Sequence, residues 1–322
     1  VEDDAPITVT GTVGGDAAAG DTVAFTVNGN PYSTTVNPDG ISWSVDVAGA
    51  DLAADTAFDA TVTGTDVNGN PFTGITTSTH TVDLGAAATI TVNNITTDDI
   101  VNSVEDDAPI TVSGTVGGDA TAGDTVSFTV NGTNYSTTVN PDGTSWSVDV
   151  AGADLAADTS FDATVTGTDT NGNPFTGITT STHTVDLTAS ATITVNDITT
   201  DDIVNSVEDD APITVTGTVG GDAAPGDTVA FTVNGTDYST TVNPDGISWS
   251  VDVAGADLAA DTSFDATVTG TDVNGNPFTG ITTSTHTVDL TASATITVNN
   301  ITTDDIVNSV EDDAPITVSG TV

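Results

Sequence analysis

The strongest constraint on this chain is a long internal period. The phrase VEDDAPITV opens at Val1, returns at Val104 and Val207, and begins once more at Val310, so the sequence repeats every 103 residues. Solenoid repeats span roughly 20 to 50 residues, whereas independent domains commonly run to about 100 to 150. Each repeat is therefore long enough to own a hydrophobic core.

Within a repeat the apolar residues alternate, which places every second side chain on one face of a strand. In the second repeat Ile110, Val112, Gly114 and Val116 alternate with Thr and Ser, and Val126, Phe128 and Val130 do the same. Trp146, Val148 and Val150 follow, then Phe161, Ala163 and Val165. Between these runs stand Gly117-Gly118-Asp119, Asn131-Gly132, Asn140-Pro141-Asp142-Gly143 and Asn171-Gly172-Asn173-Pro174, residues suited to positive φ or to proline's fixed φ. Short strands at such spacing predict an all-β sandwich. No convincing helix is expected; Ala151 to Thr159 could hold one short turn at most.

Placing the first strand at Ala88 to Ile95 makes the following DDIVNSVEDD a connection and gives seven strands: A near 88–95, B near 109–116, C near 124–131, C′ near 134–140, E near 145–151, F near 160–168 and G near 174–186. On this phase residues 1–84 form a repeat lacking its first strand, 85–187 and 188–290 are complete repeats, and 291–322 hold the first two strands of a further one. An odd strand count in an up-and-down reading puts entry and exit at opposite ends, so the repeats are expected to string end to end with little lateral contact.

Composition narrows the partners. The chain holds no Lys or Arg, 47 acidic residues, three His and no Cys, a formal charge of −47. Phosphate neutralisation needs Lys or Arg, so nucleic acid is excluded, and docking on an anionic membrane is disfavoured. No stretch approaches about 20 consecutive apolar residues and no signal peptide opens the chain. The reading is therefore a soluble excerpt, without direct membrane insertion, whose export signal, if any, lies elsewhere. The absence of Cys leaves the redox compartment open. High net charge can signal disorder, but Val and Ile placed with period two favour order.

The same strand count brings acidic loops together at each repeat junction. The A–B connection (Asp98, Asp99, Asn102, Glu105, Asp106, Asp107), the E–F loop (Asp154, Asp158) and the exit residue Asp186 are expected at one end of a repeat, and Asp201, Asp202 and Glu208 repeat the A–B acids one period on. The next repeat's B–C loop (Asp222, Asp227) and its F–G turn (Asp272, Asn274, Asn276) are expected opposite them. Two carboxylates about 4 Å apart in water repel by roughly 1 kcal/mol. With no Lys or Arg to offset this, an external cation is the remaining counter-charge, and calcium, which takes oxygen ligands, is the natural candidate. The F–G turn Asp66-Val67-Asn68-Gly69-Asn70 matches the alternate-ligand opening of a calcium loop, and Asp169, Asn171, Asp272 and Asn274 repeat it. It departs from an EF-hand, since Pro71 and Thr77 stand where that loop needs Gly and Glu. A solvated acidic surface without any ion is the competing reading, because Asp-Asn-Gly turns also form for backbone reasons alone.

Other constellations are weaker. His80, His183 and His286 each stand alone beside Thr without the ligands zinc needs, and are expected to be exposed strand residues. Trp43, Trp146 and Trp249 are in phase with core Val. Asn94, Asn131, Asn234 and Asn300 lie in N-x-[ST] sequons. One lone His copied in every repeat does not make a catalytic triad, so no enzyme is expected.

The segments TITVNNITTDDIVNSVEDD, TVTGTVGGDAAAGDTV, ADLAAD, VTGTDVNGNP and the closing THTVD together resemble the Ig-like extender repeats of giant bacterial RTX adhesins. The resemblance spans every repeat. It implies tandem Ig-like β-sandwich domains of about seven strands each, Greek-key in type, strung into a stalk at the cell surface. It also implies export by type I secretion, and calcium at the A–B loop and around the junction residues Asp83, Asp186 and Asp289. The partners it implies are neighbouring repeats of the same chain, with the adhesive ligand bound by other domains. The glycine-rich nonapeptide repeats are absent, and the adhesive target is not legible. A carbohydrate-binding sandwich, or an acidic surface protein of a halophile without specific calcium sites, are the alternatives.

Overall fold

Thr228–Val233 (TVAFTV) illustrates how the alternation is used: Val229, Phe231 and Val233 are buried and the residues between them turn outward. The next two residues, Asn234 and Gly235, both have positive φ, 49° and 78°. Those angles match the two-residue turn whose twist fits a hairpin. Thr236–Thr241 then pairs back antiparallel in register Val233↔Thr236 to Thr228↔Thr241.

The computed structural model describes residues 2–322, and its third repeat lies wholly in one of two compact units, Ile100–Ala108 with Thr184–Val322. One sheet of this repeat runs Ala191–Val195, Pro212–Gly221, Ser248–Ala254. The facing sheet runs Thr236–Thr241, Thr228–Val233, Ser263–Thr271, Pro277–Thr285. Both are antiparallel. The core fills the space between them: Trp249 from the first sheet meets Phe231 from the second at 6.0 Å and 57°, and Phe264 stacks on Phe231 at 4.8 Å. Trp249 is 1% exposed, and its indole N–H donates to the Thr194 carbonyl at 3.2 Å. Two sheets connected in this order form an Ig-like sandwich.

Two features refine the expected strand plan. The acidic connection between the first two strands is not bare loop, because Ile203–Asn205 within it pairs in parallel with Thr287–Asp289 at the end of the last strand. The second repeat makes the same parallel pairing, Ile100–Val101 with Thr184–Val185, and adds a short helix at Ser103–Asp106. Gly255–Ala260 also forms a six-residue helix, longer than the single turn expected, repeated at Gly152–Ala157 and Gly49–Ala54. Its Asp257 accepts a 2.6 Å hydrogen bond from the Tyr238 hydroxyl and another from the Asn234 side chain, which tie the helix to the hairpin tip. These bonds, Tyr238 first, hold the Asp257 carboxyl below the usual carboxylate range.

The histidines require a correction. His183 and His286 are buried, each 6% exposed, rather than exposed strand residues. Each stands where the last strand breaks before the parallel pair, and its Nε2 lies 2.8 Å from a helix carbonyl, Leu155 O or Leu258 O. A carbonyl only accepts, so Nε2 carries the proton and the helix end gains a donor.

The other unit comprises Val1–Asp99 with Pro109–His183. It contains the first repeat, whose four-stranded sheet runs Asn30–Thr35, Thr22–Val27, Ala57–Thr65, Pro71–Thr79, and whose second sheet is only Pro6–Thr12 with Ser42–Ala48. It also holds the two main sheets of the second repeat, ordered as in the third. Among the described residues no helix is long and apolar enough to cross a membrane.

Candidate functional site

The turn Asp272-Val273-Asn274-Gly275-Asn276 builds itself around one carboxylate. Asp272 Oδ1 accepts the backbone N–H groups of Asn274 and Asn276, both at 2.8 Å, and Oδ2 accepts the Asn276 side-chain amide at 2.9 Å. Gly275 supplies the φ of 91° that lets the chain reverse. The Asn276 amide is the largest influence holding Asp272 ionised below the ordinary range. Asp169 makes the same three bonds, to Asn171 N, Asn173 N and the Asn173 amide. Asp66 repeats them with Asn68 N, Asn70 N and the Asn70 amide. The first acid of each loop is therefore committed to folding the turn, and the following Asn is free to reach outward.

That outward reach makes the junction. Asn274 Nδ2 donates to Asp186 Oδ2 at 2.7 Å, while the Asn274 carbonyl accepts from Asn102 Nδ2 at 2.9 Å. Ser103 N–H donates to Asn276 Oδ1 at 2.7 Å, and Asn276 is 1% exposed. One period earlier, Asn171 Nδ2 donates to Asp83 Oδ2 at 2.6 Å, and Asn173 Nδ2 donates to the Asp83 carbonyl at 3.1 Å. Of the turn residues expected opposite the exit carboxylate, it is the Asn amide and not the first acid that faces it. Asp289, the third exit residue, accepts from Thr291 N at 3.1 Å.

The remaining predicted acids are used within their own segments. Asp99 and Asp202, both at positive φ, accept from Ile95 N and Ile198 N at 2.9 and 3.0 Å. Asp98 and Asp201 accept from Thr96 and Thr199 hydroxyls at 3.0 Å. Glu105 accepts from Asn102 N while Asn102 Oδ1 accepts from Glu105 N, both at 3.0 Å, a reciprocal cap on helix Ser103–Asp106. Glu208 makes the matching bond to Asn205 N. Asp154 and Asp158 accept from the Asn131 side-chain amide and backbone N–H at the hairpin tip of their own repeat, and Asp227 accepts from Ala224 N.

Among the described residues, no three His, Cys, Asp or Glu side chains gather closely enough to hold a metal ion alone. A cation at the junction would need amide and backbone oxygens beside Asp186. That donor set is all hard oxygen, which fits calcium and not a soft metal. Sequence reasoning placed Asp186, Asn102, Asn274 and Asn276 at the junction but missed Ser103 as a contact. The spacing Asn102-x-x-Glu105 is a legible capping signal; Ser103 contributes only a backbone N–H, which no residue type announces.

No protein-family model matches this chain, and no curated protein matches it. Among solved structures it is similar to a Ca2+-stabilized adhesin that helps an Antarctic bacterium reach out and bind ice, with 54% identity, a TM-score of 0.81, and coverage of 99% of this chain and 78% of that one. It is also similar to part of a 1.5-MDa bacterial ice-binding adhesin, at 52% identity and TM-score 0.80, covering 90% of this chain and 93% of that one. A single bacterial immunoglobulin-like domain from the M. primoryensis ice-binding adhesin is 53% identical, with a TM-score of 0.31, over 32% of this chain and 100% of that one. The repeat, the sandwich topology and these identities over most of both chains together place this protein in the family of Ig-like extender repeats of large bacterial adhesins.

Proposed function

We propose that the chain is a length of the stalk of a large bacterial surface adhesin, stiffened by calcium at its repeat junctions. The observation that carries this reading is the recurrent contact of an exit aspartate with the Asn of the following turn, Asp83 with Asn171 and Asp186 with Asn274. A stalk needs each repeat to grip the next through the same elements, and a contact copied every 103 residues does this. The similar Antarctic adhesin is Ca2+-stabilized, and the charge of −47 with no basic residue leaves an external cation as the counter-ion here. Asp186 with the carbonyl oxygens of Asn274 and Asn276 would hold the ion at one junction, and Asp83 with those of Asn171 and Asn173 at the other. At the connections, where no three acids gather among the described residues, Asp98, Asp99 and Glu105 with their copies Asp201, Asp202 and Glu208 would hold an ion only together with backbone oxygens of the loop. A bound ion supplies positive charge that offsets carboxylate repulsion and ties backbone to side chain. The partners are the neighbouring repeats of the same chain, and the adhesive ligand belongs to other domains. Export by type I secretion to the surface of a Gram-negative cell completes the proposal.

The test compares melting temperature and maximum dimension by small-angle scattering, in calcium and in chelator with sodium chloride at matched ionic strength. A ligand present at about 100 times its dissociation constant adds roughly 2.7 kcal/mol per site to the folded state. Both quantities should rise with calcium and respond poorly to magnesium, which demands near-ideal octahedral geometry. Identical values in the two buffers would reduce the acidic segments to solvated surface.

A further inference from the structure

The connection that follows the second repeat's first strand leaves one backbone donor over, and the third repeat takes it. Residues 100–108 belong to the same compact unit as the third repeat. The short helix Ser103–Asp106 opens with N–H groups that have no carbonyl behind them inside the helix. Asn102 Oδ1 accepts two of them, Val104 N at 2.9 Å and Glu105 N at 3.0 Å, and Asp106 N donates to the Asn102 carbonyl at 2.9 Å. The donor left over is Ser103 N. Its acceptor is Asn276 Oδ1, 2.7 Å away in the turn of the next repeat and 173 residues further along the chain. Asn276 is 1% exposed, and its N–H, its carbonyl and its side-chain amide all serve Asp272 of its own turn. Oδ1 is the atom that remains for Ser103, and burial makes an unmet oxygen there costly.

Asn102 divides its side chain between the two repeats. Oδ1 caps its own helix, while Nδ2 donates to the Asn274 carbonyl at 2.9 Å. The approach is close, since a Cβ added to Gly275 would stand 3.1 Å from Asn102 Nδ2, and the φ of 91° already favours glycine there. Asn274 Nδ2 completes the set by donating to Asp186 Oδ2 at 2.7 Å. Oxygens that a cation would otherwise neutralise are therefore met by N–H donors, and the exit carboxylate faces an amide rather than a second acid. We propose that these bonds form an ion-independent latch: consecutive repeats stay engaged through Asn102, Ser103 and Asn276 when no calcium is bound, and the ion stiffens a contact that is already closed. The latch rests on the stalk reading for its purpose, and it makes the junction's response to calcium graded, a softening on removal and not a release. Its parts recur with the period. Asn205 caps the next connection in the same way, accepting Val207 N at 2.9 Å and Glu208 N at 3.2 Å, and Asn173 stands where Asn276 does one repeat earlier.

The Ser103 amide reads the latch directly, because its acceptor belongs to the following repeat. Serine- and glutamate-selective nitrogen-15 labelling follows its hydrogen exchange beside that of Glu105, and Ser103→Ala, which keeps the backbone donor, assigns its signal by removing the label. In chelator with sodium chloride at matched ionic strength, Ser103 N–H of the unmodified chain should exchange about tenfold more slowly than in Asn276→Ala, the scale of one net hydrogen bond. Asn102→Ser separates latch from cap, since a serine oxygen still accepts at the head of a helix but carries no amide for the Asn274 carbonyl. Ser103 exchange should then quicken while Glu105 stays protected and the third repeat melts at an unchanged temperature, which distinguishes loss of the contact from unravelling of the helix. Equal Ser103 exchange in the unmodified chain and in Asn276→Ala, both in chelator, overturns the latch, as does protection that appears only when calcium is added. Either failure leaves calcium stiffening standing, because that reading is judged by melting temperature and maximum dimension with and without the ion. Slow Ser103 exchange in chelator beside calcium-insensitive melting keeps the latch and removes the stiffening.

Discussion

Asn274 and Asp186 stand 88 residues apart in sequence and 2.7 Å apart in space, the amide of one donating to the carboxylate of the other. The contact works because an Asn, and not an Asp, follows the acid that folds the turn. Asn274→Asp should place a second carboxylate against Asp186, a repulsion of about 1 kcal/mol in solvent-like surroundings. Limited proteolysis near residues 187–190 should then become faster in chelator, while the melting of the third repeat's core stays put. Unchanged cleavage would remove this pair from the junction.

The aromatic core makes a graded prediction. Trp249→Ala deletes a side chain 1% exposed, packed at a tilt against Phe231 and bonded to Thr194 O, and should cost about 3–5 kcal/mol. Trp43→Ala in the first repeat, where the indole is 7% exposed and no carbonyl among the described residues receives it, should cost less in this chain. Denaturant titrations of the two variants followed by tryptophan fluorescence check the order.

Buried histidine gives a spectroscopic prediction. His286 Nε2–H donates to Leu258 O while Nδ1 is buried without a partner among the described residues. Nitrogen NMR should find His183 and His286 as the Nε2–H tautomer. His286→Ala should destabilise the repeat by about 1–3 kcal/mol, the cost of leaving a buried carbonyl unpaired.

Acid should loosen the helices at Gly152–Ala157 and Gly255–Ala260 first. The Tyr238 and Asn234 bonds lower the Asp257 pKa, and those of Tyr135 and Asn131 lower that of Asp154. A carboxyl depressed in the folded state stabilises it fully above the ordinary value near 4, and this contribution is lost as pH falls through the folded value. Tyr238 is raised, by its bond to Asp257 first, so its contribution is complete below the ordinary tyrosine value near 10 and is lost as pH rises beyond. The melting temperature should therefore plateau between about 4 and 10, and Tyr238→Phe should flatten both edges.

Much of this architecture was written in local pattern. The 103-residue period, the alternation of Val229, Phe231 and Val233, and the Asn234-Gly235 turn each specify structure through neighbours a few residues away. Those signals suffice for an Ig-like sandwich and for placing Trp249 inside it. The sequence also announced that acid would gather near the exit residue Asp186. Only tertiary structure decided what each acid does. Asp272, Glu105 and Asp99 spend their lone pairs on backbone N–H groups of their own loops, and the chain's reversal turns Asn274 and not an acid toward Asp186. His286 was misplaced for the same reason: alternation puts a lone histidine on either face, and the carbonyl of Leu258, 28 residues away, settles which. Periodicity reports which side of a strand faces apolar surroundings, whereas a hydrogen-bond partner is fixed by long-range packing that residue spacing does not encode.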